Sequence, residues 1–217
     1  MKKITALEVQ KNNPNRVNVH LDGEFAFGVA RIVAAWLKVG DMMDEEKIQK
    51  MRVEDARERA YQQAMLFLSY RARSENEIRK NLRKHETPEE VIEETVQRLR
   101  QDGLANDEQF ARAWVENRTT FRPRNRRLMT VELRQKGLDD ETISTTLEGT
   151  DDEFLAYASA QKRVPRLKNL ERHDFRKKLS EYLARRGFSY SVIAPVVTRL
   201  WNETHIKEQH YEDEDMT

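Results

Sequence analysis

The sequence contains no cysteine among its 217 residues. Disulfide bonds, thiolate metal sites and cysteine nucleophiles are therefore excluded. Glycine and proline are also scarce, with 7 and 5 residues, which favours helices over turn-rich structure. No apolar run approaches the roughly 20 residues that span a bilayer, and the amino terminus lacks the apolar segment of a signal peptide. We therefore expect a cytoplasmic protein that does not associate with membranes.

Net charge is almost absent as well, because 39 basic and 38 acidic residues leave a balance of +1. Charged residues nevertheless make up 35% of the chain, against about 25% in ordinary globular domains. This composition predicts helices with broad solvated faces. It argues against a protein that coats nucleic acid by bulk charge, so an electropositive site must arise from local segregation of charge.

The usual signals of an active site or a cofactor site are also missing. The glycine-rich phosphate loops GxGxxG and GKS/T do not occur. The five histidines are scattered, and the five-residue spacing of His205 and His210 fits helical metal-ligand spacing poorly. The acidic pairs that begin at Asp139 and Asp151 stand at predicted helix starts, where carboxylates act as caps. We therefore expect no enzyme, no cofactor and no metal site.

The stretch RVNVHLDGEFAFGV predicts a β-hairpin near the amino terminus. Apolar residues alternate on both sides of Asp22 and Gly23, two residue types that accept the positive φ of a tight turn. The preceding ITALEV is a candidate third strand, and the following ARIVAAWLKVG predicts a short helix that ends at Gly40. Because an isolated hairpin is marginal in water, we expect residues 1–43 to pack on later helices or to dock on a partner.

From residue 44 onward the apolar residues follow helical periods, and the pattern repeats. Four apolar columns recur at steps of 51 and then 50 residues, and each repeat contains three predicted helices. The columns are Ile78, Met129 and Leu179; Leu82, Leu133 and Leu183; Ile92, Ile143 and Ile193; and Val96, Leu147 and Val197.

The predicted fold is mainly α, with a small N-terminal β-sheet followed by three tandem three-helix repeats. The repeats are assigned to residues 44–104, 105–149 and 150–204, and stacked units of this kind form an elongated, curved array. Residues 205–217 are acidic and are predicted to be a disordered tail. Phe67, Trp114, Phe154 and Trp201 lie at helical spacing among apolar neighbours and are predicted to be core residues.

Basic residues concentrate on the second helix of each repeat and most densely in TTFRPRNRRLMTVELRQKG, where Glu132 is the only acid. Asn125 is a candidate cap for a helix that begins at Arg126. Charge runs are usually solvated faces with intrahelical pairs, but their recurrence on equivalent helices favours a binding surface. Phe121 and Tyr70, which lie beside arginines, either contact a ligand or pack back onto the protein. The candidate binding residues are Arg71, Arg73, Arg79, Lys80, Arg83, Arg118, Phe121, Arg122, Arg124, Arg126, Arg127, Arg134, Lys136, Arg176, Lys177, Arg185 and Arg186.

Three consecutive blocks of this sequence resemble the RecX regulatory protein family. They are AMLFLSYRARSENEIRKNL at 64–82, RLRQDGLANDEQFARAWVENR at 98–118 and RPRNRRLMTVELRQKGL at 122–138. The resemblance implies a regulator without catalytic residues that lies in the groove of the RecA–single-stranded-DNA filament. Such a protein restrains ATP hydrolysis, filament extension and strand exchange in DNA repair and the SOS response, and binds single- and double-stranded DNA weakly by itself.

We expect a monomer whose partner is this filament. The alternative is a free-standing DNA-binding protein whose three-helix units act like helix-turn-helix modules. The two hypotheses differ in affinity for bare DNA, which is modest in the first and tight, with a steep salt dependence, in the second.

Overall fold

The structure is a computed structural model that describes the backbone of residues 1–214 and the side chains of residues 1–205. The chain divides into two compact units, residues 1–106 and residues 107–217. The first unit contains a β-sheet and three helices, and the second contains six helices within the described range. Across the described residues, no helix is both long enough and apolar enough to cross a membrane.

The first unit begins with a four-stranded antiparallel sheet in the order β3-β2-β1-β4. The hairpin is confirmed, with Asp22 at φ 51° and Gly23 at φ 91° in the turn. The candidate third strand is also confirmed, since ITALEV lies within β1. The strands are β1 (Lys2–Gln10), β2 (Asn13–Leu21), β3 (Glu24–Ala30) and β4 (Met42–Met43).

The helix predicted after the hairpin is wrong in extent, because only Val33–Trp36 forms a short 3-10 turn. The chain that follows is held to β1 instead. The Ile4 N–H donates to the Asp41 carbonyl at 2.8 Å, and the Gly40 N–H donates to the Ile4 carbonyl at 2.8 Å. Because these bonds hold residues 40 and 41 against β1 and lead into β4, the 3-10 turn cannot continue as a longer helix.

The first repeat consists of α1 (Glu45–Ser69), α2 (Glu75–Lys84) and α3 (Glu89–Gln101). A capping box begins α2, since the Ser74 and Glu77 side chains satisfy each other's backbone N–H groups. Helix α1 serves two hydrophobic cores. Its first half places Ile48 in the core of the sheet, and its second half places Ala60 and Ala64 in the core of the repeat.

A buried carboxylate, Asp55, fastens α1 to the sheet. Its oxygens accept hydrogen bonds from the Arg16 Nη1 and Nη2 atoms at 3.2 and 3.1 Å and from the Ala30 N–H at 2.7 Å. Arg59 adds an ion pair at 3.1 Å. Arg16 also donates to the Gly28 carbonyl at 2.7 Å. Arg16 and Asp55 therefore form hydrogen bonds with backbone groups on the outer edge of β3. Without them, this edge could pair with another strand.

The second unit contains the second and third repeats, which share one hydrophobic core. Helix α9 extends to Glu214, whereas the sequence predicted a disordered tail from residue 205. The rest of that tail prediction falls on residues 215–217, which lie outside the described residues. The helices are α4 (Asp107–Phe121), α5 (Arg126–Gln135), α6 (Asp140–Thr146), α7 (Asp152–Gln161), α8 (Arg172–Ala184) and α9 (Tyr190–Glu214).

The four apolar columns are confirmed as core positions. All twelve residues are buried, and the most exposed of them, Ile193, is only 4% accessible. The predicted helix starts are also confirmed, because Asn125, Asp139 and Asp151 each accept backbone N–H groups as caps of α5, α6 and α7. The columns therefore mark the inward faces of equivalent helices, and the basic residues between them are left for the surface.

Candidate functional site

The candidate arginines of the first repeat lie mostly against carboxylates. Hydrogen bonds to Glu93 are the main cause that raises the pKa of Arg79, and the same contact lowers the pKa of Glu93. These cations are therefore largely neutralised within the repeat. The pairs join Arg71 to Glu77 at 2.9 Å, Arg79 to Glu93 at 2.8 Å and to Glu75 at 3.2 Å, and Arg83 to Glu89.

Two candidates of the first repeat are placed differently. The Arg73 guanidinium lies 3.9 Å from the centroid of the Phe67 ring. Burial, together with the charge of Arg71, lowers the pKa of Arg73. Lys80 is exposed and has no acidic partner among the side chains of residues 1–205. The first repeat thus offers little unbalanced positive charge.

Glu132 of the second repeat organises part of the arginine-rich stretch. Its half-buried carboxylate accepts hydrogen bonds from Arg118 Nε at 2.7 Å and Trp114 Nε1 at 2.9 Å, and also from Arg124. The Arg118 guanidinium lies 4.3 Å from the centroid of the Trp114 ring. Arg118 and Arg124 are therefore both paired with Glu132, which is the only acidic residue in the arginine-rich stretch.

The remaining candidates of α5 and its neighbours divide into paired and unpaired groups. Arg134 Nε lies 2.8 Å from Asp140 Oδ1, and Lys136 Nζ lies 5.0 Å from the centroid of the Trp114 ring. The other group is exposed, and its side chains have no acidic partner in the part of the chain whose side chains are described. It consists of Arg122, Arg126 and Arg127.

A buried asparagine joins this unpaired group to the third repeat. The Asn125 N–H donates to the Arg186 carbonyl at 3.3 Å, and Asn125 Nδ2 donates to the Gly187 carbonyl at 2.6 Å. The Arg126 N–H donates to Asp152 Oδ1 at 2.8 Å. The start of α5 is therefore fixed against both the end of α8 and the start of α7.

The third repeat contributes its own cations at this point. Arg185 is exposed and has no acidic partner among the described side chains, and the Arg186 guanidinium lies 3.8 Å from the centroid of the Tyr182 ring. Arg176 and Lys177 are exposed as well, but they lie earlier on α8, roughly 12 Å from its end at 1.5 Å per residue. We call Arg122, Arg126, Arg127, Arg185 and Arg186 the cationic junction.

The chemistry available at the cationic junction is anion binding. Arg126 and Arg127 occupy the first turn of α5, which contains no acidic residue. Cations are unfavourable there because the amino terminus of a helix carries partial positive charge. The Asp152 carboxylate relieves part of this conflict because it accepts the Arg126 N–H. An external anion at the two exposed guanidinium groups relieves the rest, because such groups bind phosphate or carboxylate through paired hydrogen bonds. Among the described residues, no group of three or more potential metal ligands is present.

The aromatic residues follow the predictions only in part. Phe121 is the last residue of α4 and is 72% exposed, beside Arg122, so it does not pack back onto the protein. Tyr70 is 77% exposed. Phe154 was predicted to be a core residue, and this is wrong because its side chain is 67% exposed on the first turn of α7. Trp36 was not among the candidate binding residues predicted from the sequence, yet its side chain is 83% exposed, just after the hairpin.

Profiles of one protein family match most of the chain in four successive segments. The regulatory protein RecX N-terminal domain matches residues 2–44, and the first, second and third three-helix domains of RecX match residues 60–99, 106–147 and 151–197. The second and third of the three-helix profiles together cover α4 to α8 and the first part of α9, in the unit that holds the cationic junction.

Relatives and solved structures agree with these matches. The regulatory protein RecX of Bacillus velezensis is 36% identical over 88% of this chain and 74% of its own length. That of Clostridium botulinum is 31% identical over 93% of this chain and 98% of its own length. A crystal structure of a regulatory protein RecX is 31% identical, with a TM-score of 0.68 over 90% of this chain and 98% of that one.

A crystal structure of RecX from Lactobacillus salivarius shares the fold, with a TM-score of 0.58 over 68% of this chain and 97% of that one at 24% identity. The matching relatives are named as regulatory proteins and not as enzymes. The chain therefore belongs to the RecX family of regulatory proteins.

Proposed function

We propose that this protein regulates the RecA recombinase without being an enzyme. It binds in the groove of the RecA–single-stranded-DNA filament and restrains ATP hydrolysis, filament extension and strand exchange, in DNA repair and the SOS response. Its affinity for bare single- or double-stranded DNA is modest, and it acts as a monomer. Two things support the proposal: the family to which the chain belongs and the unpaired charge of the cationic junction.

The cationic junction carries the argument for a DNA contact. Three of its arginines, Arg122, Arg126 and Arg127, lie within six residues of one another and have no acidic partner among residues 1–205. Arg185 of the next repeat is held nearby through the contacts of Asn125 with Arg186. A DNA backbone presents phosphates in a row, and several cations on neighbouring elements match such a row better than they match one carboxylate.

The test removes two positive charges from the cationic junction. A control variant loses two positive charges elsewhere in the same unit. The test variant is Arg126→Gln with Arg127→Gln. The control is Arg112→Gln with Arg199→Gln, two exposed arginines that already pair with Glu108 and Glu203. RecA ATPase and strand exchange are measured with substoichiometric protein, and far-UV circular dichroism checks that helicity is retained.

The test variant should lose most of the inhibition of both RecA activities, whereas the control should retain it. The salt dependence of single-stranded DNA binding should also become shallower in the test variant. Its log–log slope should fall by about 1.4, because each of the two arginines that neutralises a phosphate contributes about 0.7 to the slope. Inhibition that survives in the folded test variant would remove the cationic junction from the mechanism.

Affinities of the wild-type protein for bare duplex DNA and for the filament separate the alternative of a free-standing DNA-binding protein with helix-turn-helix-like units. That alternative requires bare duplex DNA to be bound as tightly as the filament, with no effect on RecA at any ratio. The proposed regulator requires the reverse order of affinities.

A further inference from the structure

Two large apolar residues are exposed on the first unit, at the two ends of the 3-10 turn. Ile32 is 64% exposed and Trp36 is 83% exposed, and both lie beside α1. Single exposed apolar side chains are ordinary on protein surfaces. A tryptophan exposed to this extent beside a second aliphatic residue is typical of a protein-binding surface, because tryptophan is enriched among residues that dominate binding energy.

The first of two grooves lies between the turn and α1 and has a volume of about 440 Å³. Ile32, Trp36 and Met51 give it an apolar wall. Its charged rim is already neutralised, since Arg57 lies 2.7 Å from Glu54 and 2.6 Å from Glu94. An apolar side chain can enter this groove without leaving a charge buried and unpaired.

The second groove lies on the other side of Ile32 and has a volume of about 870 Å³. Three arginines line it, and two of them, Arg16 and Arg59, share the carboxylate of Asp55. Arg31, the third, has no acidic partner among the side chains of residues 1–205. The groove therefore keeps surplus positive charge.

The wall of this second groove also carries an exposed aliphatic residue. Leu66 lines the groove from α1 and is 55% exposed. A carboxylate can pair with Arg31 while an apolar neighbour packs on Leu66. Since Ile32 lines both grooves, one bound segment can use both at once.

We propose that this surface, made of Arg31, Ile32, Trp36, Leu66 and the two grooves, binds an acidic, amphipathic segment of a protein partner. We call it the Trp36 surface. The segment places an apolar side chain against Trp36 and a carboxylate against Arg31. The inference rests on the proposed function, in which the partner is a subunit of the recombinase filament. It assigns protein contact to the Trp36 surface and phosphate contact to the cationic junction.

A protein segment fits this surface better than a nucleic acid does. Only Arg31 among its three arginines lacks an acidic partner within the described residues. Nucleic-acid surfaces instead combine several free cations that follow successive phosphates. The exposed apolar residues Ile32 and Leu66 would gain little from a phosphate backbone, but they gain from the burial of an apolar side chain.

The test uses two variants of the full chain, Trp36→Ser and Arg31→Glu. Val9→Ser and Lys47→Glu are matched controls, because both residues are exposed in the same unit and line neither groove. Affinity is measured for the RecA–single-stranded-DNA filament and separately for bare single-stranded DNA. Circular dichroism confirms folding, which the high exposure of Trp36 and Arg31 should preserve.

Each test variant should bind the filament at least about tenfold more weakly, as expected for a central interface residue. Its affinity for bare DNA should stay within about twofold of wild type, and neither control should change filament binding. Trp36→Phe should recover part of the loss because the aromatic ring is kept.

Wild-type filament affinity in both test variants would overturn the inference. Equal losses on filament and bare DNA would overturn it too, because the surface would then contact nucleic acid. A concentration-dependent dimer that Trp36→Ser abolishes would show instead that a second copy occupies the surface. If the wild-type protein binds the filament no more tightly than bare DNA, the proposed function fails, and the inference fails with it.

Discussion

Replacing Gly187 by alanine should loosen the contact between the second and third repeats. Gly187 adopts φ +88°, and a β-carbon there would lie 2.6 Å from Leu128 Cδ1 and 2.8 Å from Asn125 Oδ1. That oxygen cannot move freely, because it accepts the Leu128 N–H at 2.9 Å as the cap of α5. The added methyl group therefore acts on the same hydrogen bonds that position the cationic junction.

The size of the effect can be divided into a backbone part and a steric part. An alanine held at positive φ costs about 1–2 kcal/mol, and overpacking of a close contact costs about 1–3 kcal/mol. We therefore expect Gly187→Ala to lower the free energy of unfolding by about 2–5 kcal/mol. The matched control is Gly149→Ala, where φ is +72° and no atom lies within 4 Å of the added carbon. It should cost only about 1–2 kcal/mol.

Urea unfolding followed by tryptophan fluorescence measures both variants. Trp114 and Trp201 lie half-buried in the second unit, whereas Trp36, the third tryptophan of the chain, is 83% exposed. The change in fluorescence should therefore report mainly the unit that contains both glycines. The midpoint should fall further for Gly187→Ala at an unchanged slope. Equal losses in the two variants would refute the reasoning, since the contacts of residue 187 would then add nothing to the backbone cost.

Three further predictions concern charge and stacking. Glu132→Gln leaves two arginines uncompensated, so the log–log slope of single-stranded DNA binding against salt should steepen by up to about 1.4, at about 0.7 per arginine; an unchanged slope in anisotropy titrations would contradict this. Burial acts to raise the pKa of Glu75, but hydrogen bonds and charges from Arg100 and Arg79 outweigh it and hold that pKa below its ordinary 4.5. The resulting stability is present above about pH 4.5 and is lost as pH falls through the folded-state pKa. Glu75→Gln should therefore flatten the acid limb of the unfolding curve, and an equally steep limb would count against it. Phe121→Leu should weaken binding of single-stranded DNA by about 1–3 kcal/mol while leaving duplex affinity and the salt slope unchanged; equal losses on both forms would exclude stacking.

The core of the repeats was predictable because it depends on periodicity alone. Met129 and Leu133 recur at fixed steps with equivalents in both other repeats, and helical geometry turns residues three and four apart onto one face. The hairpin was predictable for a similarly local reason, since Asp22 and Gly23 supply the positive φ values of the turn. Both features can be read from the sequence because each depends on a few neighbouring residues or on one spacing that repeats along the chain.

The candidate site was less predictable because partners decide whether a charge is available. Arg79 and Arg126 both lie on second helices, and the sequence made both of them candidate binding residues. Packing of α2 against α3 brings Glu93 to within 2.8 Å of Arg79, whereas no described acidic side chain reaches the Arg126 guanidinium. That difference depends on which side chains the packing of the helices brings together. Neither the composition nor the sign of the charges along the sequence reveals those contacts.

Phe154 was misplaced because the angular position of the buried stripe on α7 was misjudged. The helix buries Leu155, Ala156, Ser159 and Ala160. At about 100° per residue, Phe154 falls on the side opposite the centre of that stripe. Apolar character suggested burial, but the positions of the neighbouring small residues decided the outcome.

The double role of α1 fixes an angle within the first unit. Ile48 faces the core of the sheet, and Ala60, twelve residues later, faces the core of the repeat. One residue inserted between them would rotate one core relative to the other by about 100°, since a turn takes 3.6 residues. Both grooves of the Trp36 surface have α1 as one wall, so this rotation would also change their width. Insertions or deletions in this part of α1 are therefore tolerable only in whole helical turns. The length of the helix between the two cores sets the width of the grooves of the Trp36 surface.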